Sequence, residues 1–192
     1  MSKGQNKKTN PRIRITTGSA KNKILKAPNI EGYRAVQEIA KSAVFSILGE
    51  RVEDSVCLDL FAGSGNMGLE ALSRGAGWCD FVDSNYISAQ VIRENIEYCG
   101  FSDKSEVEKK ESAKFVVNAP RKYDIIFLDP FYDDLAQKYL VSNLEYILNE
   151  NGIIIFFHGK DLNLEELTRE TGLNIVDTRK FGKSYFSILT HK

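Results

Sequence analysis

The chain has 192 residues, 42% of them hydrophobic, enough for one domain with a full core and a small appendage. No apolar run approaches the roughly 20 residues of a membrane span, and the lysine-rich start lacks the apolar centre of a secretory signal. Three cysteines (Cys57, Cys79, Cys99) are too widely spaced for a CxxC metal knuckle, so no metal site is expected, and they suit a reduced, cytoplasmic compartment.

The zero net charge hides an asymmetry. Residues 1–28 carry eight basic residues and no acidic one, which leaves 18 basic against 26 acidic in the rest. That is the pattern of a basic arm for a polyanion on an acidic domain. Residues 1–11 are polar and read as a solvated tail. Arg12-Ile13-Arg14-Ile15-Thr16 alternates basic and apolar as a half-buried strand does, and Lys23-Ile24-Leu25-Lys26 returns after a turn at Thr17-Gly18-Ser19. A boundary near 28–34 separates this basic arm and hairpin (1–33) from the main domain (34–192).

Val36 to Leu48 predicts a helix with Val36, Ile39, Ala40, Ala43, Ile47 and Leu48 inward and Gly49 as its stop. Val56 to Ala62 is a buried strand running into a turn at Gly63, Gly65 and Gly68, then a helix to Arg74. Cys79 to Asp83 is the next strand, followed by a helix from Asn85 to Tyr98. Ser105 to Lys109 is a strand and Ala113 to Val117 a short helix. Tyr123 to Leu128 is the continuous apolar run of a central strand. Asp133 is placed to cap a helix with Leu135, Tyr139, Leu140, Leu144, Ile147 and Leu148 inward, stopped by Gly152. Ile153 to Phe157, Leu164 to Arg169, and the pair Asn174–Lys180 and Tyr185–Thr190 around Gly182-Lys183 complete the chain. Strands alternating with helices predict an α/β, doubly wound, Rossmann-like sheet closed by a C-terminal antiparallel hairpin.

Two stretches carry chemistry. Gly63-Ser64-Gly65-Asn66-Met67-Gly68 matches G-x-G-x-x-G, and Asp83 stands where a carboxylate holds ribose hydroxyls. A nicotinamide dinucleotide fits that much. Asp59, at the strand tip just before the glycines, would repel a pyrophosphate but attract the sulfonium and ammonium of S-adenosylmethionine. The second stretch is Asp129-Pro130-Phe131-Tyr132, at the tip of the central strand. The Asp129 carboxylate and Pro130 carbonyl offer two acceptors for the hydrogens of an exocyclic base amine, and Tyr132 a ring to stack on the base. Such a site works by positioning and preorganised charge. His158 reads as a surface or pocket-edge residue and Trp78 as packing.

At both stretches the chain resembles the amino-directed S-adenosylmethionine-dependent methyltransferases. Arg12 to Gly18, Lys23-Ile24-Leu25, Leu58 to Gly65, Gly68 to Ala76 and Phe181-Gly182 together resemble the RsmD family. That resemblance implies a class I methyltransferase fold with a small N-terminal β-hairpin extension. It implies methyl transfer from S-adenosylmethionine to N2 of one guanine in 16S ribosomal RNA, within a 30S subunit or assembly intermediate. It implies cofactor contacts from Asp59, Phe61, Gly63, Gly65 and Asp83, with Glu111 and Ser112 near the adenine. Asp129, Pro130 and Tyr132 are the implied catalytic residues. RNA contacts would come from Arg12, Arg14, Lys21, Lys23, Lys26, Arg34 and Phe131. Phe131 stands where the family has a second proline, and Ala35, Val36, Ile39 and Ser42 depart from its pattern. No membrane association or obligate protein partner is expected. An amino-methyltransferase for another RNA or for DNA would use the same catalytic residues, and a non-catalytic RNA-binding module would need only the arm.

Overall fold

The computed structural model describes residues 12–130 and 137–192. Two strands of two residues each open it: β1 (Ile13–Arg14) and β2 (Ile24–Leu25) pair antiparallel, Ile13 opposite Leu25. A pair this short is marginal alone in water. Ile13, Ile15, Ala20 and Leu25 turn inward and join the main core, while Arg14 and Ile24 face out.

Helix α1 spans Glu38–Leu48, two residues later than the periodicity suggests, and ends at Gly49. Its inward face is also rotated. Ile39 is 67% exposed, and Ala40, Lys41, Val44, Phe45 and Leu48 are buried. The cause is Lys41, 1% exposed, whose Nζ lies 2.9 Å from Glu70 Oε2 and donates to the Arg14 carbonyl and Asn66 Oδ1 at 2.6 and 2.8 Å. A compensated lysine occupies a core position, and the apolar Ile39 is turned out.

The main sheet begins with β3 (Val56–Leu60), α2 (Asn66–Ser73), β4 (Trp78–Asp83), α3 (Tyr86–Cys99), β5 (Ser105–Lys109) and α4 (Ser112–Val117). Asn85 caps α3 by accepting from Ile87 N and Ser88 N at 2.8 and 3.3 Å. The charges of β5 are explained by its place at the sheet edge, where only Val107 is buried. The chain then crosses back to β6 (Tyr123–Leu128), α5 (Gln137–Ile147), β7 (Leu148–Gly159), α6 (Leu164–Thr168), β8 (Leu173–Phe181) and β9 (Ser184–His191). The expected cap Asp133, and Leu135, lie outside the described residues.

Two expectations around α5 fail. Tyr139 is 57% exposed, and Gly152 lies within β7 rather than ending the helix. Leu148 already pairs with Tyr123, and the register then shifts before Ile153 meets Ile125. The polar insert is tied down by Asn149 Nδ2 donating to Asp124 Oδ1 at 2.7 Å.

The strands run β5-β4-β3-β6-β7-β9-β8, parallel from β5 to β7, with β9 antiparallel to both neighbours. One face of the sheet packs against α1, α2, α3 and the small hairpin, the other against α4, α5 and α6. No helix among the described residues is long and apolar enough to cross a membrane.

Glu70 joins the hairpin to the sheet. Its carboxylate accepts from Thr16 N and Oγ1 at 2.8 and 2.6 Å, from Thr17 N at 3.1 Å and from Arg74 Nε at 2.9 Å. Burial pushes the Glu70 carboxyl up, but Lys41 and the Thr16 bonds outweigh it and hold it below its ordinary value. Removing one partner of a buried pair strands the other charge, at a cost of about 3–5 kcal/mol. Glu70→Ala is expected to lower the urea midpoint accordingly, whereas Lys41→Met with Glu70→Leu recovers most of the loss. Equal stability of Glu70→Ala and wild type in the same titration would contradict this role.

Candidate active site

The sheet reverses direction of growth at β3. From β3 the chain builds outward through β4 to β5, then returns to place β6 on the other side. Such a switch point opens a crevice at the strands' carboxyl ends. Leu60 stands in register with both Val82 and Leu128, so Phe61, Asp83 and Asp129 emerge at one level. Asp129 N donates to the Leu60 carbonyl at 3.5 Å, and Ala62 N to the Val82 carbonyl at 3.1 Å. The predicted residues Asp59, Phe61, Gly63, Gly65, Asp83, Asp129 and Pro130 are thereby brought to one edge.

The turn after β3 is built on unusual backbone. Phe61 has φ of 57°, rare for a side chain of its size, and Gly63 and Gly65 have φ of 57° and 77°. Gly68, in the first turn of α2, has no room for a side chain: a Cβ there would lie 2.4 Å from Phe81 Cε1 and 2.6 Å from Cys79 Sγ. Carboxylates hold the turn in shape. Gly68 N donates to Asp59 Oδ2, and Gly63 N to Asp83 Oδ2, each at 2.9 Å. Asn85 N donates to the other Asp83 oxygen at 2.9 Å. Each oxygen keeps lone pairs for a ligand.

Three carboxylates share this edge, and among the described residues no cation stands against them. Burial, with added repulsion from Asp129 and Asp83, pushes the Asp59 carboxyl up to about 8. Burial pushes Asp129 up to about 7 and also raises Asp83. A site of this chemistry suits a cationic ligand without phosphate and is hostile to a pyrophosphate.

Glu111 and Ser112 begin α4 beside the β4 tip, where Lys110 N donates to the Asp83 carbonyl at 3.1 Å. Ser112 is buried, whereas the Glu111 side chain is 63% exposed and pairs with Lys114 at 2.8 Å. Phe131 and Tyr132 lie outside the described residues.

The basic arm is partly neutralised by the domain it sits on. Arg14 pairs with Glu38 at 2.5 Å and Lys26 with Glu94 at 2.7 Å. Lys23 Nζ donates to the Tyr98 carbonyl at 2.6 Å. Arg12, Lys21 and Arg34 are exposed. Arg12, Arg14, Asn22, Ile24 and Glu38 line an open cleft of about 410 Å³ on the hairpin's outer face.

Sequence reading missed two residues here. Tyr33, in the connector before α1, donates its hydroxyl to Ser64 Oγ at 2.8 Å. Asn95, buried in α3, accepts from Lys26 N and donates to the carbonyls of Lys26 and Ser64, all at 2.9 Å. Neither carries a local signal, because each acts on a turn remote in sequence. His158 is a correction of another kind. It is buried, stacked on Tyr185 and bonded to Ser187 Oγ at 2.9 Å, and burial lowers its pKa.

Residues 13–190 match the model of a family described as conserved hypothetical protein 95. Ribosomal RNA small subunit methyltransferase D of Haemophilus influenzae is 34% identical over 144 residues, 72% of this chain and 74% of that protein. The chain belongs to the RsmD family. YlbH of Bacillus subtilis, by name a candidate rRNA methyltransferase, is 32% identical over 173 residues, 88% of this chain and 92% of that one. The solved structure of yhhF from Escherichia coli superposes with a TM-score of 0.82 at 22% identity, covering 95% of this chain and 99% of that one. The RsmD-family chain thus has the class I methyltransferase fold, and its carboxylate cluster lies at the switch point of that fold.

The cluster makes stability pH-dependent. Folded Asp59 keeps a proton that the unfolded chain has lost above pH 4, so this carboxyl costs stability as pH rises towards 8. Asp59→Asn keeps an acceptor for Gly68 N and removes the charge. Thermal melts of the ligand-free protein are expected to fall from pH 5 to pH 8.5 more steeply for wild type than for Asp59→Asn. Equal slopes would show that Asp59 is not held up by burial.

Proposed function

We propose that the chain transfers a methyl group from S-adenosylmethionine to the exocyclic N2 of a guanine in small-subunit ribosomal RNA. The observation that carries this reading is the pairing of two sites on adjacent strand tips: a buried carboxylate cradle at Asp59, and an acceptor pair at Asp129 and Pro130 joined to it through Leu60. The name of the Haemophilus influenzae relative supports the RNA class and subunit.

S-adenosylmethionine supplies an electrophilic methyl group on a sulfonium. Asp59 would hold the cationic methionine end, and Asp83 the ribose hydroxyls. Ser112 would lie towards the adenine. The left-handed backbone of Gly63 and Gly65 would shape the turn around the cofactor, with Tyr33 packed where a Gly63 side chain would begin and Leu69 and Phe81 where one on Gly65 would.

A guanine amine is a weak nucleophile because its lone pair is delocalised into the ring. Asp129 would accept one amine hydrogen and the Pro130 carbonyl the other, turning the remaining lone pair towards the methyl carbon. As nitrogen gains the methyl, the carbon–sulfur bond breaks and the amine must shed one proton. Ionised beside the ligand's positive charge, Asp129 would be able to take that proton. Tyr132 would stack on the base and Phe131 would add an apolar wall. The base must leave its helix to reach this crevice. Arg12, Arg14, Lys21, Lys23 and Lys26, on the arm of residues 1–33, and Arg34, at the start of the catalytic domain of 34–192, would neutralise phosphates and set orientation without reading sequence.

Labelled S-adenosylmethionine, incubated with naked 16S rRNA, 30S particles and DNA, tests this. Label is expected on guanine N2 of rRNA or its particles. Asp129→Ala is expected to lower transfer by at least about 100-fold at saturating cofactor. Label on DNA alone, or undiminished transfer by Asp129→Ala, would overturn the reading.

A further inference from the structure

Tyr33 is bound to the site, yet neither the glycine turn nor the Asp129 motif accounts for it. Its hydroxyl bonds to Ser64, which is wholly buried inside the turn. The ring edge stands 2.8 Å from where a side chain on Gly63 would begin, so Gly63 is needed both for its φ and for this contact. Burial raises the phenol to about 12, with the charges of Asp129 and Asp59 adding to the rise. One ring therefore packs directly on the glycine turn. A phenol that stays neutral adds no further charge beside the turn and still donates a hydrogen bond.

The chain on either side of Tyr33 is held as well. Behind it, Asn95 grips the backbone of Lys26 through both N–H and C=O, and its amide also reaches the Ser64 carbonyl. Ahead of it, Asn66 Nδ2 donates to the Val36 carbonyl at 3.2 Å. The connector is thus stitched to the glycine turn at three points, with Tyr33 in the middle and the exposed Arg34 beside it.

We propose that Tyr33 is a positioning residue of the transfer site: its ring packs against Gly63 and its bond to Ser64 locks the basic arm in register with the cofactor turn. This rests on the methyl-donor reading above. On this proposal, ordering of the turn by the cofactor also orders the arm through that bond, so cofactor and RNA each tighten the other by the same factor.

Titration calorimetry of S-adenosylmethionine against the full chain tests the assignment, with thermal melts of each variant as a fold control. Tyr33→Phe and Ser64→Ala remove the same bond from opposite ends. Each is expected to weaken binding about three- to tenfold, and the double variant no more than either single one. Tyr33→Ala, which also loses the ring, is expected to weaken it more than about tenfold. Wild type is expected to bind 30S particles more tightly with S-adenosylmethionine than without, and Tyr33→Phe to lose that difference. Should Tyr33→Ala fail to fold, the Phe and Ser64 variants still decide the question. Wild-type affinity in both of those, additive penalties, or unchanged coupling to the 30S particle would overturn the role of Tyr33 alone. Failure of wild type to bind S-adenosylmethionine would overturn the methyl-donor reading and this role with it.

Discussion

Carboxylates crowded at one sheet edge without a countercharge are the constraint on which the rest of this structure depends. Asp59, Asp83 and Asp129 sit at the tips of three adjacent strands, and among the described residues none has a cationic partner. Such an arrangement costs stability in the free protein. The glycine turn offsets part of the cost by turning backbone N–H groups of Gly63 and Gly68 onto two of them. On the proposed function, the remainder makes the crevice a receptor for positive charge. Differential affinity follows directly: a sulfonium or ammonium relieves the repulsion, and a pyrophosphate aggravates it.

A second buried charge system carries the arm. Lys41 and Glu70 are both sealed from solvent, yet Glu70 accepts from the hairpin and Lys41 donates to it and to Asn66 at the start of α2. Replacing such a pair with apolar residues is often neutral for stability, so its benefit here is geometric. It fixes the small hairpin, which could not stand alone, against the helix whose first turn frames the cradle. Asn95 and Tyr33 complete the same connection on the other side of the turn. The arm's ion pairs with Glu38 and Glu94 are exposed and contribute little to stability, so on the proposed function Arg14 and Lys26 would turn to phosphate at small cost.

Much of this was legible in the sequence where local rules govern. Buried parallel strands are near-continuous apolar runs, so β3, β4, β6 and the later half of β7 could be placed, and glycines punctuated the helices around them. The meeting of Asp59, Asp83, Asp129 and Pro130 at one sheet edge was legible because each stands at the tip of an apolar strand before a turn. What escaped was non-local. Periodicity scores apolar residues, so it favoured Ile39 and passed over Lys41, whose burial depends on a glutamate in another helix. Gly152 read as a helix stop because nothing nearby revealed that Leu148 already pairs with Tyr123. Tyr33 and Asn95 hold a turn far from them in sequence, and no spacing rule connects a lone tyrosine in a connector to a glycine loop.

The proposed function requires a site of raised, unpaired carboxyls to select a cationic ligand. That selection can be measured without following catalysis. With Asp59 pushed up to about 8 and Asp129 to about 7, both carry protons for much of the time at neutral pH, and a bound cation favours their ionised forms. Calorimetric titration of S-adenosylmethionine at pH 7, repeated in two buffers of different ionisation enthalpy, gives the number of protons exchanged. Net release of protons on binding is the expected result. No exchange, or net uptake, would contradict a cradle built on protonated carboxyls that ionise against the ligand's charge.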